Sequence, residues 1–564
     1  MERFTLLGCI ICAVCDRIRG WLLLAAFLIG LCPLSMGAAP TTVTIGGTVR
    51  DKTTFLPIAG ARVDLVNAAN GADHYTLSTD LSGTWQLVLV SVPGDDEHAI
   101  PTSFSLDQNY PNPFNPSTAI PFSLRVEGPV TLSVHNVLGQ LLEARTFNLS
   151  AGHYEIGWSG KGAAGVLFYT IDMLGERITR KMIQLDGGGQ RGWGELRLTQ
   201  SVVVAKSLQR MASVDYRVTA SKIGYEPDST IFSGADGERH DLALETVHNR
   251  AFVVDLHNDI LESVITGYQL GTRHTDHHSD LPRFREGSMD FQIFAVWVDP
   301  SLSPSIYNSR ANAMIDSFQV QVLRNTSSIA PVTTMSQAQE ANAEGKLAGF
   351  LSVEGGHAIQ DDIQKLKDFY GRGVRAMTIT WNNSTSWAVS AQDSRSGTVG
   401  LSAFGETVIR SMDSLGMIID VAHTGIKTIE DILAITKNPI IDSHAGARAL
   451  YDHYRNLTDA QIRAIAQTGG VIGVVFYPWF LSRSGTATID TVIRHIDYIR
   501  NLVGIDYIAL GSDFDGIERV PVGLEDVSRL PNLTLGLLEH GYTPEDVRKI
   551  LGGNFLRVLN AVCH

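Results

Sequence analysis

Eight apolar, β-rich runs alternate with helical stretches between about residue 249 and the end of this 564-residue chain. Continuous apolar strands that alternate with helices predict a parallel sheet buried on both faces. The runs cover residues 252–256, 291–298, 347–353, 375–380, 417–421, 439–442, 471–476 and 507–511. Eight such units within 249–564 are typical of an α/β fold of the (β/α)8 TIM-barrel type, and an open doubly wound sheet is the alternative.

Helix-start signals fit this alternation. The run TDAQ at 458–461 is a capping box that opens a helix over 462–467, which Gly469 closes. The run TPED at 543–546 places a cap, a first-turn proline and two acids at the start of the final helix.

The region from about 41 to 248 has a different pattern. Short alternating runs such as 42–45 and 61–66 are separated by clusters of Gly, Asn and Asp, which predicts all-β sandwich domains before the barrel. A chain of this length needs more than one hydrophobic core, as several domains would provide.

The N-terminus predicts a signal peptide over residues 1–39. Arg17 and Arg19 precede the apolar run 21–29, and small residues follow. The run is shorter than the roughly 20 residues of a membrane-spanning helix, so we favour cleavage over a short membrane anchor. Four of the five cysteines lie in this leader. The mature chain would keep only Cys563, with no internal disulfide and no stable membrane span, in the periplasm, at the cell surface or secreted.

Several function classes are disfavoured by the sequence. The net charge is −14 and Lys and Arg do not cluster, which argues against nucleic acid as a partner. The chain has no Gly-x-Ser-x-Gly elbow, no P-loop and no His-Glu-x-x-His pair.

Potential metal ligands follow five of the eight predicted strands. They are His257 and Asp259 after the first, Glu354 after the third, His423 after the fifth, His444 after the sixth and Asp513 after the eighth. Active-site residues of such barrels gather at the carboxyl ends of the strands. A single His at a strand end is usually structural, and the turn around Asp513 imitates part of a calcium loop without the full EF-hand pattern. The coincidence over five strands favours a metal site.

Imidazoles together with carboxylates are the donors that zinc prefers. The set exceeds what one zinc needs, which indicates two metals with a bridging carboxylate. Two metals about 3.5–4 Å apart can hold a shared hydroxide and polarise a carbonyl. The predicted reaction is metal-assisted hydrolysis.

These residues together resemble the membrane (renal) dipeptidase family of zinc metallopeptidases over about 250–562. The matching runs are VDLHND at 254–259, VEGGH at 353–357, DSHA at 442–445, RN at 455–456, GSDFDG at 511–516 and GLEDVS at 523–528. The resemblance implies two Zn²⁺ per chain. It assigns His257 and Asp259 to one zinc, His423 and His444 to the other, and Glu354 to both. Asp513 would handle the proton of the bridging hydroxide, and Arg455 would grip the free carboxylate of a dipeptide.

The sequence departs from the family at one position. Animal members carry a substrate-contacting His after the fourth strand, where this chain has Trp381 in the run TITWNN at 378–383. Indole has one donor and no basic nitrogen. Trp381 could form a wall of the pocket, and the side-chain amide of Asn382 or Asn383 could donate a hydrogen bond to the substrate in place of that His. We expect activity to survive, since the metals and hydroxide supply most of the chemistry.

Two further resemblances concern the β region. The runs GTVRD at 47–51, IAGARV at 58–63, TDLSGTW at 79–85 and YRVTASKIGY at 216–225 resemble a carboxypeptidase regulatory-like sandwich. The run NYPNPFNPST at 109–118, with VLGQ at 137–140, SAGH at 150–153 and TRKM at 179–182, resembles the C-terminal sorting domain of type IX secretion substrates. The implied domains are 41–100, an inserted 101–187, 188–248 and the barrel 249–564. Because sorting domains normally end a chain, this one is either an export signal or a spacer.

We therefore predict an exported zinc dipeptidase. The alternatives are a related hydrolase of amides, lactams or lactones, and a catalytically inactive surface-binding protein. A homodimer and the outer-membrane secretion machinery are the candidate protein partners.

Overall fold

The computed structural model describes residues 41–69, 71, 74–91, 104–115, 117–160, 164–185, 192–204, 215–233 and 238–564. The predicted signal peptide lies outside these residues. Within them, no helix combines the length and apolarity needed to span a bilayer.

The N-terminal region is built from β-strands, as predicted. The strands are Thr41–Asp51, Arg62–Asn67, His74–Ser78, Thr84–Ser91, Ser105–Leu106, Ser117–Leu124, Gly128–Asn136, Leu141–Leu149, Gly152–Ser159, Gly165–Met173, Glu176–Gln184, Trp193–Val204, Asp215–Ser221, Asp228–Ser233 and Leu242–Leu244. Most neighbouring strands are antiparallel. Their inward side chains form two separate hydrophobic cores, one around Trp85 and one around Trp158.

One strand joins the two cores. Trp193–Val204 pairs in parallel with Thr84–Ser91 on one side and antiparallel with Gly152–Ser159 on the other. A single sheet of seven strands therefore runs through both sandwiches. Local sequence patterns do not predict this continuity, because it depends on pairing between strands distant in the chain.

The C-terminal region is an eight-stranded parallel barrel, as predicted. Its strands, numbered here from first to eighth, are Val254–Asn258, Phe291–Trp297, Leu347–Glu354, Val374–Thr378, Ile418–Asp420, Ile441–Ala445, Val471–Val474 and Ile508–Leu510. Each pairs in parallel with the next. Asp259 N donates to Phe514 O at 3.0 Å, which brings the chain after the eighth strand against the end of the first.

An additional short strand, Ile329–Pro331, pairs with the third strand beside the barrel path. The α-helices are Val247–Arg250, Leu261–Val264, Leu281–Glu286, Tyr307–Arg324, Met335–Ala343, Ile363–Gly371, Ala403–Leu415, Ile426–Ile435, Asp459–Gln467, Pro478–Leu481, Ile489–Val503, Leu530–Glu539, Pro544–Arg548 and Asn554–Val562. Short 3₁₀ turns cover Pro304–Ile306, Gly356–Ile359, Ile505–Tyr507 and Val527–Arg529, and a π-helical turn covers Lys549–Gly553.

The predicted capping box at Thr458 is present, and the predicted cap at Thr543 also forms a capping box. Thr458 and Thr543 each accept a hydrogen bond from the backbone N–H three residues later, and the side chains there reach back to the cap. These bonds satisfy donors that a helix start otherwise leaves unpaired.

The barrel interior is closed at the amino end of its strands. Val254, Phe291 and Phe350 pack with residues of the last helix, including Phe555. The opposite, carboxyl end is therefore where polar side chains can collect around a cavity.

Candidate active site

The predicted ligand side chains meet at the carboxyl end of the barrel. Three groups of buried donors each have their ligand atoms within 4.8 Å of one another. The groups are His257, Asp259 and Glu354; Glu354, His423 and His444; and His257, His444 and Asp513. Because Glu354 belongs to the first two groups, one carboxylate stands between two sets of donors.

The two oxygens of Glu354 face different imidazoles. Oε2 lies 3.4 Å from His257 Nε2, and Oε1 lies 3.1 Å from His423 Nε2. His257 Nε2 is also 3.3 Å from Asp259 Oδ2. The Nε2 atoms of His423 and His444 are 3.0 Å apart. All these atoms converge on one small volume.

Two barrel strands turn a histidine inward by a local irregularity. The ladder register shifts between Asp255 and Asn258 in the first strand, and between Asp442 and Ala445 in the sixth. In a regular strand, a residue three positions after an inward-facing one faces outward. Val254 and Ile441 face inward, so the shifts allow the side chains of His257 and His444 to face inward too.

Two other candidate site residues have a strained backbone conformation. His423 has φ of 61° and Asp513 has φ of 63°, in the left-handed region that side chains other than glycine rarely adopt. Thr380 Oγ1 donates to His423 O at 3.0 Å, and Asp513 N donates to His257 O at 3.2 Å. These bonds hold conformations that are costly in isolation and are typical of functional sites.

Hydrogen bonds behind the site orient two imidazoles. Ser443 Oγ donates to Asp420 Oδ2 at 2.6 Å, so it accepts from His444 Nδ1, 2.8 Å away. Asn382 Oδ1 lies 3.0 Å from His423 Nδ1 and accepts from it. With their protons on Nδ1, both rings present a free Nε2 lone pair to the centre, as metal-ligating histidines do.

The charges of the site are strongly perturbed. Burial, followed by the positive charge of Arg455, lowers the pKa of His423 to about 3. Burial also holds the pKa of His444 well below its usual value. Burial opposes the charging of His257, but the carboxylates of Glu354 and Asp259 outweigh it and raise the pKa of that imidazole. Burial raises the pKa of Asp513, and the neighbouring carboxylates of Asp259 and Glu354 add to the effect.

This donor set fits divalent metal ions. His257 Nε2 is buried and satisfies no hydrogen bond, although two carboxylates lie beside it. Three buried carboxylates lie close to two imidazoles whose lowered pKa keeps them neutral. Cations would neutralise the carboxylates and use the free imidazole nitrogens.

Gly516 lies against the carboxylates of the site. A Cβ at this residue would lie 2.1 Å from Asp259 Oδ2 and 2.8 Å from Asp513 Oδ1. Only glycine therefore allows this loop to approach so closely.

A cavity of about 210 Å³ opens above the ligand atoms. It is smaller than the roughly 300–1,000 Å³ of sites for drug-sized molecules, so it suits a small substrate. Its lining residues are Asp259, Glu262, Trp297, Glu354, Trp381, Asn382, His423, Tyr477, Phe480, Asp513, Gly516 and Ile517.

The three predicted substrate-binding residues have different positions. Trp381 lines the cavity, and its ring centroid is 6.0 Å from that of His423. Asn382 also lines it, but its Oδ1 is engaged with His423. Arg455 is buried behind the lining: its Nη2 donates to His444 O at 3.0 Å, and its Cζ lies 5.4 Å from the Phe480 ring centroid.

Five further lining residues are not predicted from the sequence: Glu262, Trp297, Tyr477, Phe480 and Ile517. They follow the first, seventh and eighth strands, or end the second, and the barrel pattern alone could have drawn attention to them. Four of them are not residue types that zinc prefers, and Glu262 lies beyond the strand end in a short helix, so the pattern of ligands at strand ends does not include them.

Known proteins match the barrel region. The family model of membrane dipeptidases, peptidase family M19, matches residues 242–564. A solved dipeptidase AC, a metallopeptidase of family M19, is 26% identical with a TM-score of 0.53, and the match covers 56% of this chain and 99% of that one.

Two further solved structures agree. A metallopeptidase from Rhodobacter sphaeroides, liganded with a phosphinate mimic of the dipeptide L-Ala-D-Ala, is 25% identical with a TM-score of 0.53, covering 55% of this chain and 99% of that one. The probable dipeptidase PvdM from Pseudomonas aeruginosa is also 25% identical with a TM-score of 0.53, covering 56% and 96%. With the family model spanning more than half of its length, this chain belongs to the membrane dipeptidase family, peptidase family M19, and is a metal-dependent dipeptidase.

Proposed function

We propose that the protein is an exported dipeptidase that binds two Zn²⁺ per chain. The observation that carries this proposal is the position of Glu354, whose two oxygens face His257 on one side and His423 on the other. His257 and Asp259 would hold one zinc, His423 and His444 the other, and Glu354 both. Two zinc ions held there would polarise the scissile carbonyl and activate the attacking water.

The protein's own residues would position the substrate and move the proton. Asp513 accepts a proton from the attacking water and delivers it to the leaving amine nitrogen. Its raised pKa suits a group that must both take and release a proton. Arg455 would bind the free carboxylate of the dipeptide, since its buried Nε has no hydrogen-bond partner among the described residues.

Trp381 would form a wall of the pocket instead of replacing the basic nitrogen of the family's histidine. Its ring packs edge-on against Trp297, with centroids 5.1 Å apart. We propose that this aromatic wall excludes water and influences side-chain preference. The bound L-Ala-D-Ala mimic of the Rhodobacter sphaeroides relative supports testing dipeptides with a D-residue at the C-terminal position.

The test is hydrolysis of a varied dipeptide panel by zinc-loaded protein, before and after treatment with a chelator. We expect release of free amino acids that stops on chelation and returns with zinc. Hydrolysis of β-lactams or lactones without any dipeptide hydrolysis would instead identify a related hydrolase of another class.

Export and domain organisation remain part of the proposal. We propose that 1–39 is a cleaved signal peptide and that 101–187 is a sandwich inserted between two parts of another, 41–100 and 188–248. The pairing of Asp215–Ser221 with Arg62–Asn67 supports the joining of the two outer parts. N-terminal sequencing of protein recovered from the cell exterior tests the cleavage.

A further inference from the structure

One carboxylate that lines the cavity has no role in the proposed metal binding or proton transfer. Glu262 belongs to the short helix Leu261–Val264, directly after the first strand, and lines the cavity. Its own N–H donates to Asp259 O at 3.0 Å, which ties it to the ligand loop. In the described part of the chain, no hydrogen bond or ion pair engages its carboxylate, and the residue is exposed at the cavity rim.

The groups around Glu262 do not neutralise its carboxylate. Asp259 and Glu354 are acidic neighbours, but zinc would neutralise them in the loaded enzyme. Asp299 adds a further negative charge nearby, and Arg310 supplies the positive one without forming an ion pair with Glu262. The negative charge of Glu262 is therefore available to interact with a substrate in the cavity.

The order of the strands around the barrel indicates which end of a bound dipeptide lies close to Glu262. Arg455 follows the sixth strand, whereas Glu262 and Trp297 lie at the ends of the first and second. The second and sixth strands are opposite one another in an eight-stranded barrel. A dipeptide whose C-terminal carboxylate faces Arg455 must therefore extend its N-terminal residue towards Glu262 and Trp297.

The surface there combines aromatic rings with a carboxylate. Trp297 and Trp381 meet edge to face beside the ligand atoms, and Glu262 completes the rim. Lysine and arginine side chains pack their methylene stems on apolar surface and keep their charged ends at its edge. Indole rings also attract a cation placed over their faces.

We infer that Glu262 selects dipeptides whose N-terminal residue has a cationic side chain, and this inference rests on the proposed dipeptidase function. The stem would lie along Trp297, and the charged end would pair with the carboxylate of Glu262. Acidic N-terminal residues would be repelled at the same place.

The test compares kcat/KM of the zinc-loaded full chain for Lys-Ala, Arg-Ala, Gln-Ala and Glu-Ala. We expect Lys-Ala and Arg-Ala to exceed Gln-Ala, and Glu262→Gln to reduce that ratio about five- to tenfold, as loss of a partly solvated charged contact should. Glu262→Lys should shift the preference towards Glu-Ala. Because each ratio is internal to one variant, loss of folded or metal-loaded protein cancels.

Glu539→Gln is the matched control. Glu539 is exposed at the end of the helix Leu530–Glu539 and does not line the cavity, so its loss of charge should leave the ratio unchanged. If dipeptides are cleaved but the Glu262→Gln ratio equals that of the control, the inference is overturned while the dipeptidase function stands. If no dipeptide is cleaved, the proposed function fails and the inference with it.

Discussion

Replacing Asn382 by alanine tests whether the residues behind the ligands hold the metal site in shape. Asn382 Oδ1 accepts the hydrogen bond from His423 Nδ1 at 3.0 Å. Without it, a buried N–H loses its partner, and the ring can rotate or move its proton to Nε2. Leaving a buried donor unsatisfied costs about 1–3 kcal/mol. Loss of such an orienting contact typically weakens metal binding about 10–100-fold, or about 1.4–2.8 kcal/mol.

The assay is zinc competition against a chromogenic chelator, followed by kinetics at saturating zinc. We expect one of two zinc ions to bind about 10–100-fold more weakly in Asn382→Ala, with much of the rate restored when zinc is in excess. Asn382→Asp keeps an acceptor and should retain tighter binding than the alanine variant.

Asn383→Ala is the control, because the buried Asn383 Oδ1 accepts no hydrogen bond in the described residues. Unchanged zinc affinity in Asn382→Ala, together with a raised KM at saturating zinc, would refute the orienting role. It would favour the alternative in which Asn382 contacts the substrate directly.

Three further predictions concern the ligand loops, the proton and pH. Gly516→Ala should abolish binding of at least one zinc, since its Cβ would lie 2.1 Å from Asp259 Oδ2. The control Gly397→Ala, which has open space around its Cβ, should bind zinc normally. Equal zinc content of the two variants in metal analysis would count against the placement of Asp259. Asp513→Asn should keep zinc but lower kcat about 10²–10⁴-fold, as removal of a general acid–base does, and a near-normal kcat would exclude that role. Zinc retention on dialysis should decrease as pH falls, and should begin to decrease at a higher pH than for an imidazole of ordinary pKa, because the raised pKa of His257 lets a proton compete with the metal for its Nε2. Retention independent of pH would contradict this.

The barrel could be predicted because its strands are apolar on both faces and its helices carry strong caps. The sixth predicted run, 439–442, was displaced from the observed strand Ile441–Ala445. The polar residues Ser443 and His444 hide the end of this strand in the sequence. The strand Ile329–Pro331 was missed since three residues ending in proline carry almost no strand signal.

The site could be predicted only as far as ligand chemistry is visible at strand ends. The register shifts before His257 and His444 depend on pairing with neighbouring strands, which no local pattern reveals. The left-handed backbone of Asp513 is likewise imposed by the surrounding fold. Asp420 was overlooked because its role, holding Ser443, exists only through contacts distant in sequence.

The same limit explains the substrate-binding predictions. Arg455 was expected in contact with substrate, and the sequence does not reveal that it lies buried beside Phe480. Glu262 follows Asp259 by only three residues, yet nothing local indicates that its side chain borders the cavity.

Titration of metal-free protein with zinc tests whether two zinc ions share Glu354. Bound zinc and dipeptide hydrolysis are measured at each addition. We expect activity to rise until two zinc ions are bound per chain, and we expect Glu354→Gln neither to fill both sites nor to recover activity. Full activity with a single zinc per chain, or in protein freed of metal, would contradict it.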